Sequence, residues 1–225
     1  MAKLKSNSIK RTKKPKIALL VNAFWNSGAG ISGGDQRAMQ VFSRLEKNFD
    51  IDIYTSADGK KIFEKEIKSA SYILSPKEIE KGNVLLRYQR RSNWLTGKLT
   101  GKKYRVIYSS SDFFPDVTPA STYKKNNPEV FWVSCIFHIY PNWRKRPGNK
   151  FINLIGTGVQ RESFRKIRTL ADQIVNINYQ VRDELVKKYK FDKNKIIVNP
   201  CGIDVKYFEN IVVKKHPLQI CFIAR

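Results

Sequence analysis

Residues 16–56, KIALLVNAFWNSGAGISGGDQRAMQVFSRLEKNFDIDIYTS, carry the pattern that decides the fold. KIALLVN (16–22) is a continuous apolar run, as expected of a strand buried on both faces of a parallel sheet. A glycine-rich loop follows. In the next stretch, DQRAMQVFSRLEKN, Ala38, Val41, Phe42 and Leu45 fall at i, i+3, i+4 and i+7, so they share one helical face. IDIYTS (51–56) then reads as a second strand.

The alternation continues downstream. RVIYSS (105–110), VFWVSCIF (130–137), QIVNIN (173–178) and KIIVN (195–199) are β-branched or aromatic runs, with helical stretches around 151–171 and 180–189 between them. Strands alternating with helices predict a doubly wound, mostly parallel Rossmann-like α/β sheet. Residues 1–15 read as a solvated basic tail and 16–205 as the sheet domain. KYFENIVVKKHP resembles a linker (206–217), and the run that ends ICFIAR (218–225) is expected to open a second domain.

Charge sets the outer limits on partners. The chain has 225 residues with 43 Lys+Arg against 19 Asp+Glu, a net charge of +24. A surplus of this size points to a polyanionic partner or to ligands that carry anions. No apolar stretch approaches the ~18 residues that cross a bilayer, and the N-terminus lacks the apolar core of a signal peptide, so the expected location is cytosolic. Cys135, Cys201 and Cys221 form no CxxC pair and the histidines are His138 and His216. That set argues against zinc and for reduced thiols.

The loop SGAGISGGD lies between strand and helix, where free N–H groups and the helix dipole attract anions. Gly33 and Gly34 permit close backbone approach, and Ser32 can cap the helix. The spacing of Gly28, Gly30, Gly33 and Gly34 is not G-x-G-x-x-G, and no acid ends the second strand, which argues against a dinucleotide cofactor. The loop reads as an anion site or as a plain strand–helix turn.

Two segments together resemble glycosyltransferase family 4, the retaining GT-B enzymes. ISGGDQRAMQVFSRLEKNFDIDIYTS is similar to that family's opening, where a di-glycine loop begins a helix. QIVNINYQVRDELVKKYKFDKNKIIVNPCGIDVKYFEN is similar to the close of its N-terminal domain, with Cys201 in place of the usual asparagine. The resemblance implies the N-terminal, acceptor-side half of a GT-B fold acting on a glycan or lipid-linked acceptor. It implies a nucleotide-sugar donor held mainly by a C-terminal half that follows, with no metal and no resident cofactor. Gly202 and Arg225 match donor-side positions, Ala224 standing where the family has glycine. On this reading residues 1–225 alone are expected to be inactive. His138, which closes the strand run, matches a family histidine that faces the donor sugar, and strand carboxyl ends are where such sheets bind ligands. Its alternative is an ordinary loop histidine. Asp112, in SSSDFFPD, is either a partner for an acceptor hydroxyl or a turn-forming aspartate.

RYQRRSNWLTGKLTGKKYR (87–105) contains no acid. On a helix Arg87, Arg91, Trp94, Lys98 and Lys102 share one face, which suits an anionic membrane surface or is merely solvated. Gly97 and Gly101 argue against a rigid helix there. The competing function is a non-enzymatic basic protein that binds nucleic acid or anionic membrane. The nucleic-acid form is disfavoured because no known binding module is present.

Overall fold

A computed structural model describes residues 14–24 and 31–202. The basic tail but for its last residues, the first half of the glycine loop, the linker, the terminal run and Arg225 lie outside the described residues.

Seven strands form one parallel sheet: β1 (Lys16–Leu20), β2 (Asp50–Thr55), β3 (Ser71–Leu74), β4 (Val106–Ser109), β5 (Phe131–Cys135), β6 (Gln173–Asn176) and β7 (Ile196–Val198). Their order is β3-β2-β1-β4-β5-β6-β7. The chain builds outward from β1 in one direction, then crosses back to β4 and builds in the other. The reversal between β1 and β4 leaves a crevice at the carboxyl edge, the place where open α/β sheets bind ligands. The helices are α1 (Gly33–Leu45), α2 (Ala57–Phe63), α3 (Val84–Leu99), α4 (Phe114–Asn126), α5 (Lys150–Leu170) and α6 (Tyr179–Tyr189).

The first strand shows why the sheet is covered on both sides. Ile17, Leu19 and Val21 join a buried cluster with Ala38, Met39 and Phe42 of α1. Ala18 and Leu20, pointing the other way, join Leu95 of α3, Val117 and Ala120 of α4, and Phe164 and Ile167 of α5. Period-2 alternation of an all-apolar strand feeds two cores at once.

Three elements carry no strong sequence signal. β3 (SYIL) is a short edge strand with no fully buried residue, so it lacks the continuous apolar run of β1. The seven-residue α2 is too short to display a stripe. α4 contains Pro115 and Pro119 and is buried nearly all round, packed between α3 and α5, so it has no one-sided apolar stripe. Its interior proline is accommodated by a distant residue. Pro119 has no N–H for the carbonyl of Pro115, and that carbonyl accepts instead from Asn22 Nδ2 at 2.9 Å.

The basic stretch does form a helix, α3, and Gly97 lies inside it. Its expected solvent face is not what forms. Arg91 is buried and paired with Glu80, and its Nη1 donates to the carbonyls of Asn22 (3.0 Å) and Phe24 (2.6 Å). A guanidinium with five donors can tie a helix to a strand end in this way. Trp94 is half-buried, edge-on to Tyr54 with centroids 6.4 Å apart. Lys102 lies beyond the helix, which ends at Leu99. Arg91 and Trp94 are thus packing residues, and the five-residue basic face does not exist as one surface.

Candidate functional site

A cavity of about 510 Å³ opens at the carboxyl edge. It brings together Gly33, Gly34, Asp112 and His138, four of the residues singled out from sequence, with Asp35 and Cys201. Segments after β1, β4, β5, β6 and β7 supply the lining, so the site sits on the β1/β4 reversal. Gly202 is exposed beside it, next to Cys201. Arg87 and Arg91 line a different cavity of about 400 Å³, with Lys61, Lys77 and Glu80.

The α1 end of the cavity is built by its cap. Ser32 Oγ accepts from Asp35 N–H (3.1 Å) and donates to Asp35 Oδ2 (2.7 Å). Burial pushes the Asp35 carboxyl above its ordinary range, against the two Ser32 hydrogen bonds. The two glycines differ. A Cβ on Gly34 would lie 2.7 Å from the Phe137 ring, so packing demands glycine there. A Cβ on Gly33 would meet nothing within 4 Å, which leaves its backbone open to close approach by a ligand.

Asp112 is buried and accepts from Gln160 Nε2 at 2.8 Å. Burial holds its carboxyl above the usual range, opposed by that hydrogen bond and then by the nearby His138 imidazole. His138 is exposed, with its ring 5.4 Å from that of Tyr140. Gln160, on α5, is the organiser that sequence reading missed. Its Nε2 donates to Asp112 and also to the His138 carbonyl (3.2 Å), while its Oε1 accepts from Tyr140 N–H (2.9 Å). One buried amide thereby fixes the β4 loop against the β5 loop. Gln160 shares its helix face with Phe164 and Ile167. A polar residue on an apolar stripe was the signal available.

Asn22 and Asp116 were missed as well. Asp116 is fully buried, its Oδ1 accepting from Asn22 N–H (2.7 Å) and its Oδ2 from Ser111 Oγ (2.5 Å). Burial pushes its carboxyl up to about 7. The lead to Asn22 was an amide closing an otherwise apolar strand run.

The far wall is aromatic. Tyr88 of α3 lies 6.2 Å from Phe113 and 5.8 Å from Phe114, Phe113 lies 6.4 Å from Tyr140, and the Arg146 guanidinium stacks 4.3 Å over Tyr140. Chemically the cavity offers two carboxyl groups and an imidazole for hydroxyl recognition beside ring faces that suit sugar C–H or other apolar groups. Its described lining contains no lysine or arginine. Among the described residues no cluster of three or more His, Cys, Asp or Glu side chains is placed to hold a metal ion, and no helix is long and apolar enough to cross a membrane.

No family model matches the sequence, and no curated protein matches it. Solved structures do match the fold. A glycosyltransferase from Rickettsia africae ESF-5 aligns with a TM-score of 0.57 at 14% identity, over 89% of this chain and 47% of that one. HepE from Anabaena, crystallised with UDP and glucose, gives 0.55 at 12% identity over 85% of this chain and 46% of its own. A UDP-N-acetylglucosamine 2-epimerase gives 0.54 at 12% identity, over 83% and 46%. At these identities the likeness is one of fold: a Rossmann-like parallel sheet that spans about half the length of the solved chains it matches.

Proposed function

We propose that the chain is the acceptor-side half of a nucleotide-sugar-dependent glycosyltransferase of the retaining GT-B type. One observation carries the reading: Gly33, Gly34, Asp112 and His138, distant in sequence, converge on a single cavity at the sheet reversal. The resemblance of the chain's first and last segments to glycosyltransferase family 4 supports it, as does a fold shared with solved nucleotide-sugar proteins.

In this reading Asp112, held by Gln160, accepts a hydrogen bond from the acceptor hydroxyl and orients it. The open backbone at Gly33 lets the acceptor ring lie close to the sheet edge. His138 hydrogen-bonds a hydroxyl of the donor sugar across the cleft and restricts its rotation, which contributes through orientation. The acceptor oxygen attacks the anomeric carbon from the face the diphosphate leaves, its proton passes to the departing phosphate oxygen, and the leaving group's charge falls to cations of the donor-binding half; the resemblance implies Gly202 and Arg225 as donor-side positions. No metal is assigned a role, and no resident cofactor is needed for displacement between two bound sugars.

The test uses a protein that carries the donor-binding half after residue 225. His138→Ala should lower turnover by at least about tenfold, some 1.4 kcal/mol, with little change in acceptor KM. Because the ring is exposed, the folding midpoint should stay put. An earlier melt with unchanged turnover per folded molecule would make His138 a structural residue and sink this assignment.

A further inference from the structure

The cavity of about 400 Å³ that Arg87 and Arg91 line also stands at the carboxyl edge, walled by segments after β1, β2 and β3 and by the first half of α3. Its size is that of small-molecule sites. Ala23 and Tyr88 line the larger cavity, whereas Phe24 and Arg87, next to them in the chain, line this one. The Tyr88 hydroxyl donates to the Ala23 carbonyl (3.1 Å), so the end of β1 and α3 are joined where the two cavities adjoin.

One buried cation frames the smaller cavity. Arg91 Nε donates to both carboxylate oxygens of Glu80 (3.0 Å each), and Nη1 holds the carbonyls of Asn22 and Phe24. Ser75 Oγ donates to Glu80 Oε1 (2.5 Å). The Glu80 charge is therefore already met, and its oxygens are engaged. Around this frame stand Lys61, Lys77 and Arg87. Asp58, the other carboxylate of the lining, lies 3.8 Å from Lys61 with both side chains largely in water, a pairing that contributes little and exchanges easily. Four cations thus face two carboxylates in the described lining, a surplus of two positive charges in one recess.

We propose that this recess binds a phosphoryl group, carried as a phosphomonoester or diphosphate on a small molecule, with Lys61, Lys77 and Arg87 as its ligands and Arg91 as the strut that fixes the floor. A surplus of two positive charges matches a phosphoryl dianion. The Arg87 guanidinium offers a planar fork of donors and the two lysines offer mobile point charges, the combination that suits tetrahedral oxygens. Phe24, packed edge-on to Phe63 with centroids 6.3 Å apart, and Ala57 add apolar surface for the body that carries the phosphate. A divalent cation fits worse, because Glu80 is engaged by Arg91 and Asp58 stands beside a lysine. The site uses none of Gly33, Asp112 and His138, so it does not rest on the glycosyltransferase reading.

The experiment is titration of the full chain with inorganic pyrophosphate at fixed ionic strength, followed by calorimetry and by backbone amide resonances. Binding should saturate, and the amides of Phe24, Ala57, Lys61 and Lys77 should shift most. Lys61→Ala with Lys77→Ala, both exposed, should weaken it by about tenfold or more. Lys98→Ala with Lys102→Ala removes the same charge outside the cavity and should leave the affinity within about twofold. Malonate, a dianion without a phosphoryl group, should bind more weakly. Equal losses from the two lysine pairs would reduce the interaction to net charge and overturn the proposal. Equal binding of malonate would overturn the phosphoryl assignment, and shifts at Gly33, Gly34 and Asp112 in place of those named would put the anion in the other cavity. Absence of saturable binding would sink the site altogether. The shift map needs no variant, so it decides even where a substituted chain folds poorly.

Discussion

At the scale of single residues the cavity is held by buried polar side chains whose ionisation is set by burial. Asp116 shows the consequence most directly. Its carboxyl titrates near 3.8 ordinarily and is pushed up to about 7 in the fold, burial being the main cause. Between about pH 4 and 7 the folded chain keeps a proton that the unfolded chain has released, so stability falls as pH rises through this window. Above about 7 both states are ionised, and the full cost, on the order of a few kcal/mol, is present. Asp116→Asn can keep both hydrogen bonds, its Oδ1 accepting from Asn22 N–H and its Nδ2 donating to Ser111 Oγ. The variant should melt higher than the parent near pH 8 and lose much of the parent's decline between about pH 4.5 and 8 in thermal denaturation. If both proteins keep the same slope, the carboxyl does not bear the burial cost assigned to it. Such residues were only partly legible beforehand. His138 and Asp112 stand out because they end a strand run and precede a turn. Gln160 and Asn22 act through geometry that sequence spacing does not encode, since each bonds to segments 20 or more residues away.

Elements were legible in proportion to how one-sided or how fully buried they are. β1 announces itself because both faces are covered, and α1 because its apolar stripe faces one core. α4 was hidden by two prolines and burial all round, and β3 by its place at the sheet edge. α3 was misread in its orientation. Counting residues along a helix placed Arg91 with Lys98 on a wet face, whereas tertiary partners turn it inward: Glu80 and the carbonyls of Asn22 and Phe24. Two substitutions in this helix should move stability in opposite directions. Arg91→Ala takes the guanidinium from Glu80, which keeps only Ser75 Oγ among the described residues, and from the carbonyls of Asn22 and Phe24, and should cost about 3 kcal/mol, the lower end for a broken buried pair because Glu80 is partly exposed. Gly97→Ala meets nothing within 4 Å and should gain about 0.5–1 kcal/mol. Urea denaturation of the two variants checks both signs; a neutral Arg91→Ala would return that side chain to the surface.

The whole molecule has a positive net charge, and cations stand beside the cavity rather than in its described lining: Arg37 on Cys201 and Arg146 over Tyr140. Lys+Arg exceed Asp+Glu by 24, yet the described lining of the site holds Asp35 and Asp112 and no lysine or arginine. The positive end of α1, which would otherwise receive an anion, is already met by the Asp35 carboxyl through Ser32. A leaving diphosphate carries charge that must be met by cations or free N–H groups where it develops. On the proposed glycosyltransferase reading, this cavity is fitted to hydroxyls and that task falls to a donor-binding half. Residues 1–225 should release no nucleoside diphosphate from UDP-sugars or other nucleotide sugars above the uncatalysed rate, with or without acceptor. Joined to the segment that supplies the donor site, the same residues should support release and transfer. Lys98 and Lys102 do not line the cavity, so Lys98→Glu with Lys102→Glu ought to leave turnover of a water-soluble acceptor unchanged. Measuring diphosphate release from both forms decides the matter. Robust release by residues 1–225 alone would mean that the carboxylate-lined cavity handles the leaving group by itself, and the division of labour between the two halves would be wrong.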